Sequence, residues 1–206
     1  DLNGWIITTK KGENAAETWS SNKAYEAGTY IVTAQNYEND AAWKEANNYY
    51  GAAFYQGEDN DVVVSPGTTV GAEIICGQAN NAKLTVTISS DMPTAFTEVQ
   101  LTAKRDDTKN LIFSKTNNKT EAFFSAEETV TYSLSYKHNH EPKEITDQTI
   151  TMAGAGTNNI ITISANSNGL ISVTIKYDDS FGKGNNSTIT FDAATGNKVE
   201  TPAQGS

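Results

Sequence analysis

Apolar and polar residues alternate in short runs along most of the chain, the period-two pattern of strands with one buried face. In Gly28-Thr29-Tyr30-Ile31-Val32-Thr33-Ala34 the residues Tyr30, Val32 and Ala34 fall on one side. The pattern is cleanest in residues 130–136, where Val130, Tyr132, Leu134 and Tyr136 oppose small hydroxyl residues. Residues 5–9, 83–88, 99–103, 149–152, 160–164, 170–176 and 188–191 read the same way. Residues 49–55 and 69–76 also read as extended, with an acidic turn at Gly57-Glu58-Asp59-Asn60-Asp61 and a Pro66-Gly67 turn between them. Leu111-Ile112-Phe113 and Ala122-Phe123-Phe124 read as a hairpin across Asn117-Asn118-Lys119, and residues 137–147 as a loop. Asn168-Gly169 and residues 182–186 supply turns. Only residues 39–46, with an Asn or Asp N-cap and an Ala-rich interior, suit a helix, of two turns at most.

About fourteen strands in groups of roughly five and nine make the chain all-β, arranged as two β-sandwich lobes in series with at most one or two short helices. The small and polar Gly77-Gln78-Ala79-Asn80-Asn81 reads as a linker, which places the lobes at residues 1–79 and 80–206. Tyr30, Val32, Ile74, Cys76, Val86, Leu101, Tyr132, Leu134, Val173 and Ile175 are the expected core.

Composition narrows the partners. With 25 acidic against 15 basic residues and a net charge of −10, the chain repels phosphate backbones, so nucleic acid is not an expected partner. The Lys104-Arg105 pair is followed at once by Asp106-Asp107 and reads as a solvated turn. The single cysteine, Cys76, excludes an intrachain disulfide and a cysteine-based zinc site, and reads as a small buried hydrophobe. No stretch approaches the ~20 apolar residues of a membrane helix. The first residues, Asp1-Leu2-Asn3-Gly4, do not resemble a signal peptide, and the start without Met reads as a trimmed chain or a processed product.

Candidate chemistry is sparse. His138-Asn139-His140-Glu141 with Glu144 holds zinc-type ligands, yet the spacing fits no familiar metal motif, so a solvated hairpin tip is the plainer reading. Glu58-Asp59-Asn60-Asp61 offers oxygen ligands but lacks the spacing of a calcium loop. Asp106-Asp107 and Asp178-Asp179 read as turn carboxylates. With two His residues in one segment, no base is available to a Ser or Cys nucleophile elsewhere, and there is no phosphate-binding glycine loop. The expectation is no enzyme, no cofactor and no metal. Aromatic residues concentrate in the first lobe, and Trp19, Trp43, Tyr49 and Tyr50 are the candidates for facing a ligand, since flat exposed rings stack on sugars.

Five motifs in order carry a family resemblance: Gly28 to Ala34, Tyr49-Tyr50-Gly51, Ser65-Pro66-Gly67-Thr68-Thr69, Cys76, and Asn81-Ala82-Lys83-Leu84-Thr85-Val86. The set resembles a Bacteroides-type family of uncharacterised surface lipoproteins, similar to fimbrillin-like cell-adhesion proteins, and covers residues 25–104 best. The resemblance implies transthyretin-like or immunoglobulin-like lobes and no family chemistry. It also implies an extracellular address at the cell surface, anchored to the outer membrane in the precursor through an N-terminal lipid that this chain does not carry. The function expected is that of a non-catalytic adhesive or fimbrial, pilin-like structural or accessory subunit. Its partners would be other surface or pilus subunits bound by strand addition. The competing expectation is a carbohydrate-binding surface lipoprotein of a glycan-utilisation system, taking host or dietary glycans.

Overall fold

The computed structural model describes residues 4–117, 119–178 and 187–199; the predicted turn at residues 182–186, together with Asn118 and Asp179, lies outside them. The described chain is almost entirely β. The N-terminal part forms one five-stranded antiparallel sheet of β1 (Ile6–Lys11), β2 (Glu17–Thr18), β3 (Gly28–Gln35), β4 (Tyr55–Val64) and β5 (Gly77–Gln78), in the order β2-β1-β3-β4-β5. Helix α1 (Asp40–Glu45) interrupts it, and Asn39 caps the helix by accepting the Ala42 N–H at 3.0 Å.

Ten further strands follow: β6 (Asn81–Ile88), β7 (Phe96–Lys104), β8 (Asn110–Ser114), β9 (Glu121–Ser125), β10 (Thr129–His138), β11 (Glu141–Thr151), β12 (Asn158–Ala165), β13 (Leu170–Asp178), β14 (Ser187–Asp192) and β15 (Lys198–Val199). They build a four-stranded sheet, β11-β10-β7-β8, and a six-stranded sheet, β15-β14-β13-β12-β6-β9. The inward residues of both sheets form one core, which makes this part a β-sandwich. All pairings are antiparallel except that of β6 with β12, where buried Asn159 bonds the Lys83 carbonyl across the parallel pair. Among the described residues no strand up to β5 pairs with any strand from β6 onward.

The two parts are unequally filled. The sandwich core holds 24 buried apolar residues, whereas the N-terminal sheet gathers Tyr30, Val32 and Val62 into a separate small cluster. One buried Leu truncated to Ala costs about 2–5 kcal/mol, so most of the packing stability resides in the sandwich. Eight of the ten expected core residues are buried. Ile74 and Cys76 are half-buried, because residues 69–76 do not form the expected strand but lie across the face of the N-terminal sheet.

Other local expectations change for identifiable reasons. The acidic residues 57–61 do not turn the chain: they continue β4, and a bulge against β3 between Tyr30 and Val32 absorbs the irregularity. β8 and β9 are not a hairpin. Each buries its alternate residues in the same core from opposite sheets, and alternation reports the buried face rather than the pairing partner. Residues 137–147 belong to the β10–β11 hairpin, whose tip places Asn139 and His140 at φ 52° and 70°. The Gly77 to Asn81 stretch, read as a linker, carries structure of its own: Gly77–Gln78 is β5, and Asn81 is fully buried, accepting the Gln78 amide at 2.6 Å.

Of residues 49–55 only Tyr55 lies in a strand, the first residue of β4, and the stretch opens on a turn instead. Asn47, Asn48 and Tyr49 take successive φ values of 54°, 57° and 72°, followed after Tyr50 by Gly51 at 76°. This left-handed turn drives Tyr50 against the side of the sandwich where β8 and β9 are the two sheet edges. There the Tyr50 hydroxyl donates to the Ile112 carbonyl at 2.6 Å and accepts the Ile112 N–H at 3.0 Å, while the Tyr50 carbonyl accepts the Phe123 N–H at 2.7 Å. One residue therefore engages the edge backbone of both sheets. Arg105 seals the same side. It donates through Nε to the Tyr49 carbonyl at 3.0 Å and through a terminal nitrogen to the Phe123 carbonyl, and it lies 4.3 Å over the Phe124 ring. Burial pulls its pKa down to about 10, so the guanidinium is still charged at neutral pH. Reading Lys104-Arg105 as a solvated turn fails here, because the Arg105 side chain turns inward.

Two predictions follow from these contacts. Tyr50→Phe should lower stability by about 1–2 kcal/mol, with a fall in Tm of roughly 2–4 °C per kcal/mol, and should speed amide exchange at Ile112. Gly51→Ala should cost more, since the added Cβ would sit 3.1 Å from the Phe123 carbonyl at a left-handed φ. Unchanged melting in both variants would remove the edge-sealing role. Acid unfolding is set partly by two turn carboxylates. Asp192 is held below its ordinary pKa by the Thr195 hydroxyl and N–H, and Asp106 by the Thr108 N–H and hydroxyl. Their stabilisation is present above the ordinary carboxylate pKa and is lost as the pH falls through the lowered folded values. Stability should therefore decline below about pH 4, and less steeply in Asp192→Ala, as read by denaturant midpoints across pH.

Candidate functional site

The face of the N-terminal sheet bearing Tyr30, Val32 and Ala34 is a built apolar surface that meets solvent-accessible space. Register brings Ile7 beside Ala34, Thr9 beside Val32, and Val62 beside Tyr30, all on that face. No second sheet covers it. Two irregular segments do, one running through Trp19 and Tyr25 and one, the strap, through residues 65–76, and a cavity of about 1080 Å³ lies between them and the sheet. That volume is at the upper end of small-molecule pockets.

The strap is held mainly by packing. A local turn returns the Thr68 N–H and hydroxyl to the Ser65 carbonyl, and the Cys76 thiol approaches the Ala34 carbonyl at 3.8 Å. Where the strap crosses β4 the fit is tight. A Cβ on Gly57 would come within 2.4 Å of the Ile75 carbonyl, so only glycine lets the strap lie so low. The opposite wall is aromatic. Tyr25 meets Tyr30 edge to face at 5.7 Å, and its hydroxyl accepts the Ser20 N–H at 3.1 Å. The Tyr30 hydroxyl donates to the Glu26 carbonyl at 2.9 Å. Trp19 is 39% exposed and is tied to β1 by its N–H on the Ile7 carbonyl at 2.9 Å. Among the described residues Lys23 is the one charged residue of the lining, and it is paired with Glu17. Aromatic rings and hydroxyls at the wall suit binding, and among the described residues no carboxylate or imidazole lines the cavity.

The four aromatics singled out in the sequence separate. Trp19 lines the cavity. Trp43 is 1% exposed on the inward side of α1 and has no face to offer a ligand. Tyr49 and Tyr50 are half-buried at the sandwich edge, with Lys109 and Lys119 over their rings at 4.6 and 5.2 Å, and they serve as edge seals. Trp5 and Tyr25 join Trp19 instead, which sequence could show only if the folding-over of residues 19–25 were legible. His138 stacks on Phe96 at 4.8 Å while His140 sits exposed at the hairpin tip, so the two imidazoles do not converge. Among the described residues no group of three or more His, Cys, Asp or Glu is placed to hold a metal ion.

Gly57→Ala should lift the strap without unfolding the sandwich: amide exchange of residues 70–76 should rise while that of β10 stays slow. An unchanged strap in this variant would mean that the contact at Ile75 does not hold it.

No curated protein and no solved structure matches this chain. A family model described as a domain of unknown function, DUF4493, matches residues 3–195 and so spans both the N-terminal sheet and the sandwich. On that match, over nearly its whole length, the chain belongs to the DUF4493 family.

Proposed function

We propose that this protein is a non-catalytic extracellular subunit of the cell surface, adhesive or pilin-like, divided near residues 79–80 into two lobes, that recruits its partner by strand addition. The observation carrying this reading is the incompleteness of the N-terminal sheet. Its two flanking strands, β2 and β5, are two residues long, and one of its faces is covered by irregular chain alone. Of the seven exposed large hydrophobic residues among those described, Trp19, Tyr55, Val63, Val70 and Ile75 belong to this part. A sheet with open edges and exposed apolar side chains is the usual substrate for β-augmentation. The motif order from Gly28 to Val86 supports a surface lipoprotein similar to fimbrillin-like proteins, anchored in its precursor form.

The test is surface display. The full-length precursor, expressed in its own host, should be labelled by a membrane-impermeant reagent on intact cells and should co-purify in stoichiometric complexes after surface crosslinking. A protein labelled only after lysis would overturn this reading.

A second reading, glycan recognition, is favoured by Trp19 exposed beside a hydroxyl-lined cavity. It predicts retardation of the protein in gels containing a soluble polysaccharide, abolished by Trp19→Ala with Tm unchanged. Equal mobility across a broad polysaccharide panel would dismiss it.

A further inference from the structure

β4 is ten residues long, yet its outer edge is paired only at Tyr55 and Gln56, by β5. Among the described residues no backbone bond joins residues 57–64 to the strap that runs beside them. The Asp61 N–H is met only by the Asp59 carboxylate at 3.3 Å, inside the bulge. The two faces of this free edge differ. On the cavity side stand Val62 and Val64, opposite Tyr30 and Gly28. On the outer side Glu58, Asp61 and Val63 are exposed, Val63 at 56%. None of Glu58, Asp59 and Asp61 takes part in an ion pair among the described residues.

We infer that the free edge of β4 receives an extended segment of a different protein in which aliphatic residues alternate with Lys or Arg. The inference rests on the strand-addition reading and names its acceptor edge and partner chemistry. An added strand hydrogen-bonds to residues 57–64 and sends alternate side chains to opposite faces. One set enters the apolar cavity beside Val62 and Val64, and the other meets the unpaired carboxylates. A second copy of this chain does not suit the edge. Two β4 edges would set carboxylate against carboxylate, and the chain's net charge of −10 opposes close approach of copies. The carboxylates thus deter self-association while selecting a basic partner. The strap, which has no ladder bonds to β4, can shift to admit the strand.

The test uses the whole chain with a short synthetic peptide alternating Val and Lys, and with its counterpart carrying Glu in place of Lys. The Lys peptide should protect residues 57–64 from hydrogen exchange. In Glu58→Lys/Asp61→Lys, two exposed sites whose change leaves the core untouched, its affinity should fall about tenfold or more while the Glu peptide gains. Retained melting of the double variant guards against misfolding. Protection that falls instead on another edge, such as β11, would overturn this inference and leave strand addition standing. Binding of neither peptide anywhere, in a protein that still forms its surface complexes, would overturn the inference alone. Binding unaltered by charge reversal would overturn the assigned partner chemistry.

Discussion

The contact on which the rest of this structure depends is a seal at one side of the sandwich. β8 and β9 end their respective sheets, and an open edge within a packed core would leave backbone donors and acceptors without partners, at about 1–3 kcal/mol each when buried. Tyr50 meets Ile112 with its hydroxyl and Phe123 with its carbonyl, and Arg105 closes the remaining gap from within the sandwich. Because Tyr50 precedes the sandwich in sequence, the seal also fixes how the N-terminal chain leaves α1 and enters β4. Three successive non-glycine residues in left-handed conformation, each costing about 1–3 kcal/mol, are tolerable only where the docked tyrosine compensates for them.

Much of the fold was legible because the sandwich obeys the simplest rule: one face in, one face out. Tyr132, Leu134, Val173 and Ile175 are buried where period two puts them, and Asn39 caps the single helix as its side chain allows. What sequence could not show were pairings and crossings. Alternation in β8 and β9 says that both contribute to a core, and says nothing of which sheet each joins. Residues 69–76 have the β-branched composition of a strand, yet the sheet face beneath them lacked cover, and covering that face won over extending its edge. Arg105 was hidden by its neighbours, since two following aspartates cancel charge on paper while its own side chain points away from them into the protein. Of the candidate aromatics only Trp19 reached the cavity, because ring exposure depends on long-range packing that local pattern does not encode.

The two parts of the chain divide structural labour unequally. The sandwich is filled, closed at the β8–β9 side by the seal, and tied by buried Asn159, which accepts the Ala153 N–H and donates to the Lys83 carbonyl. The N-terminal sheet has a small core, short flanking strands and a cavity under a strap. Regions with few buried apolar contacts open at low free energy, and surfaces that must receive a partner are drawn from such regions. The acidic balance is consistent with that division, for the carboxylates of β4 sit on the part that lacks a finished edge.

The borrowed seal also changes what counts as a portable module. Strand pairing suggests that the sandwich starts at Asn81, and a recombination event cutting there would move every one of its strands intact. It would leave behind the residue that plugs Ile112 and Phe123, and the transplanted unit would arrive with two adjacent sheet ends bare and a half-buried guanidinium short of a partner. The smallest self-contained inheritance therefore begins upstream, before the left-handed turn at Asn47, and the sandwich can be passed between proteins only with part of its neighbour attached.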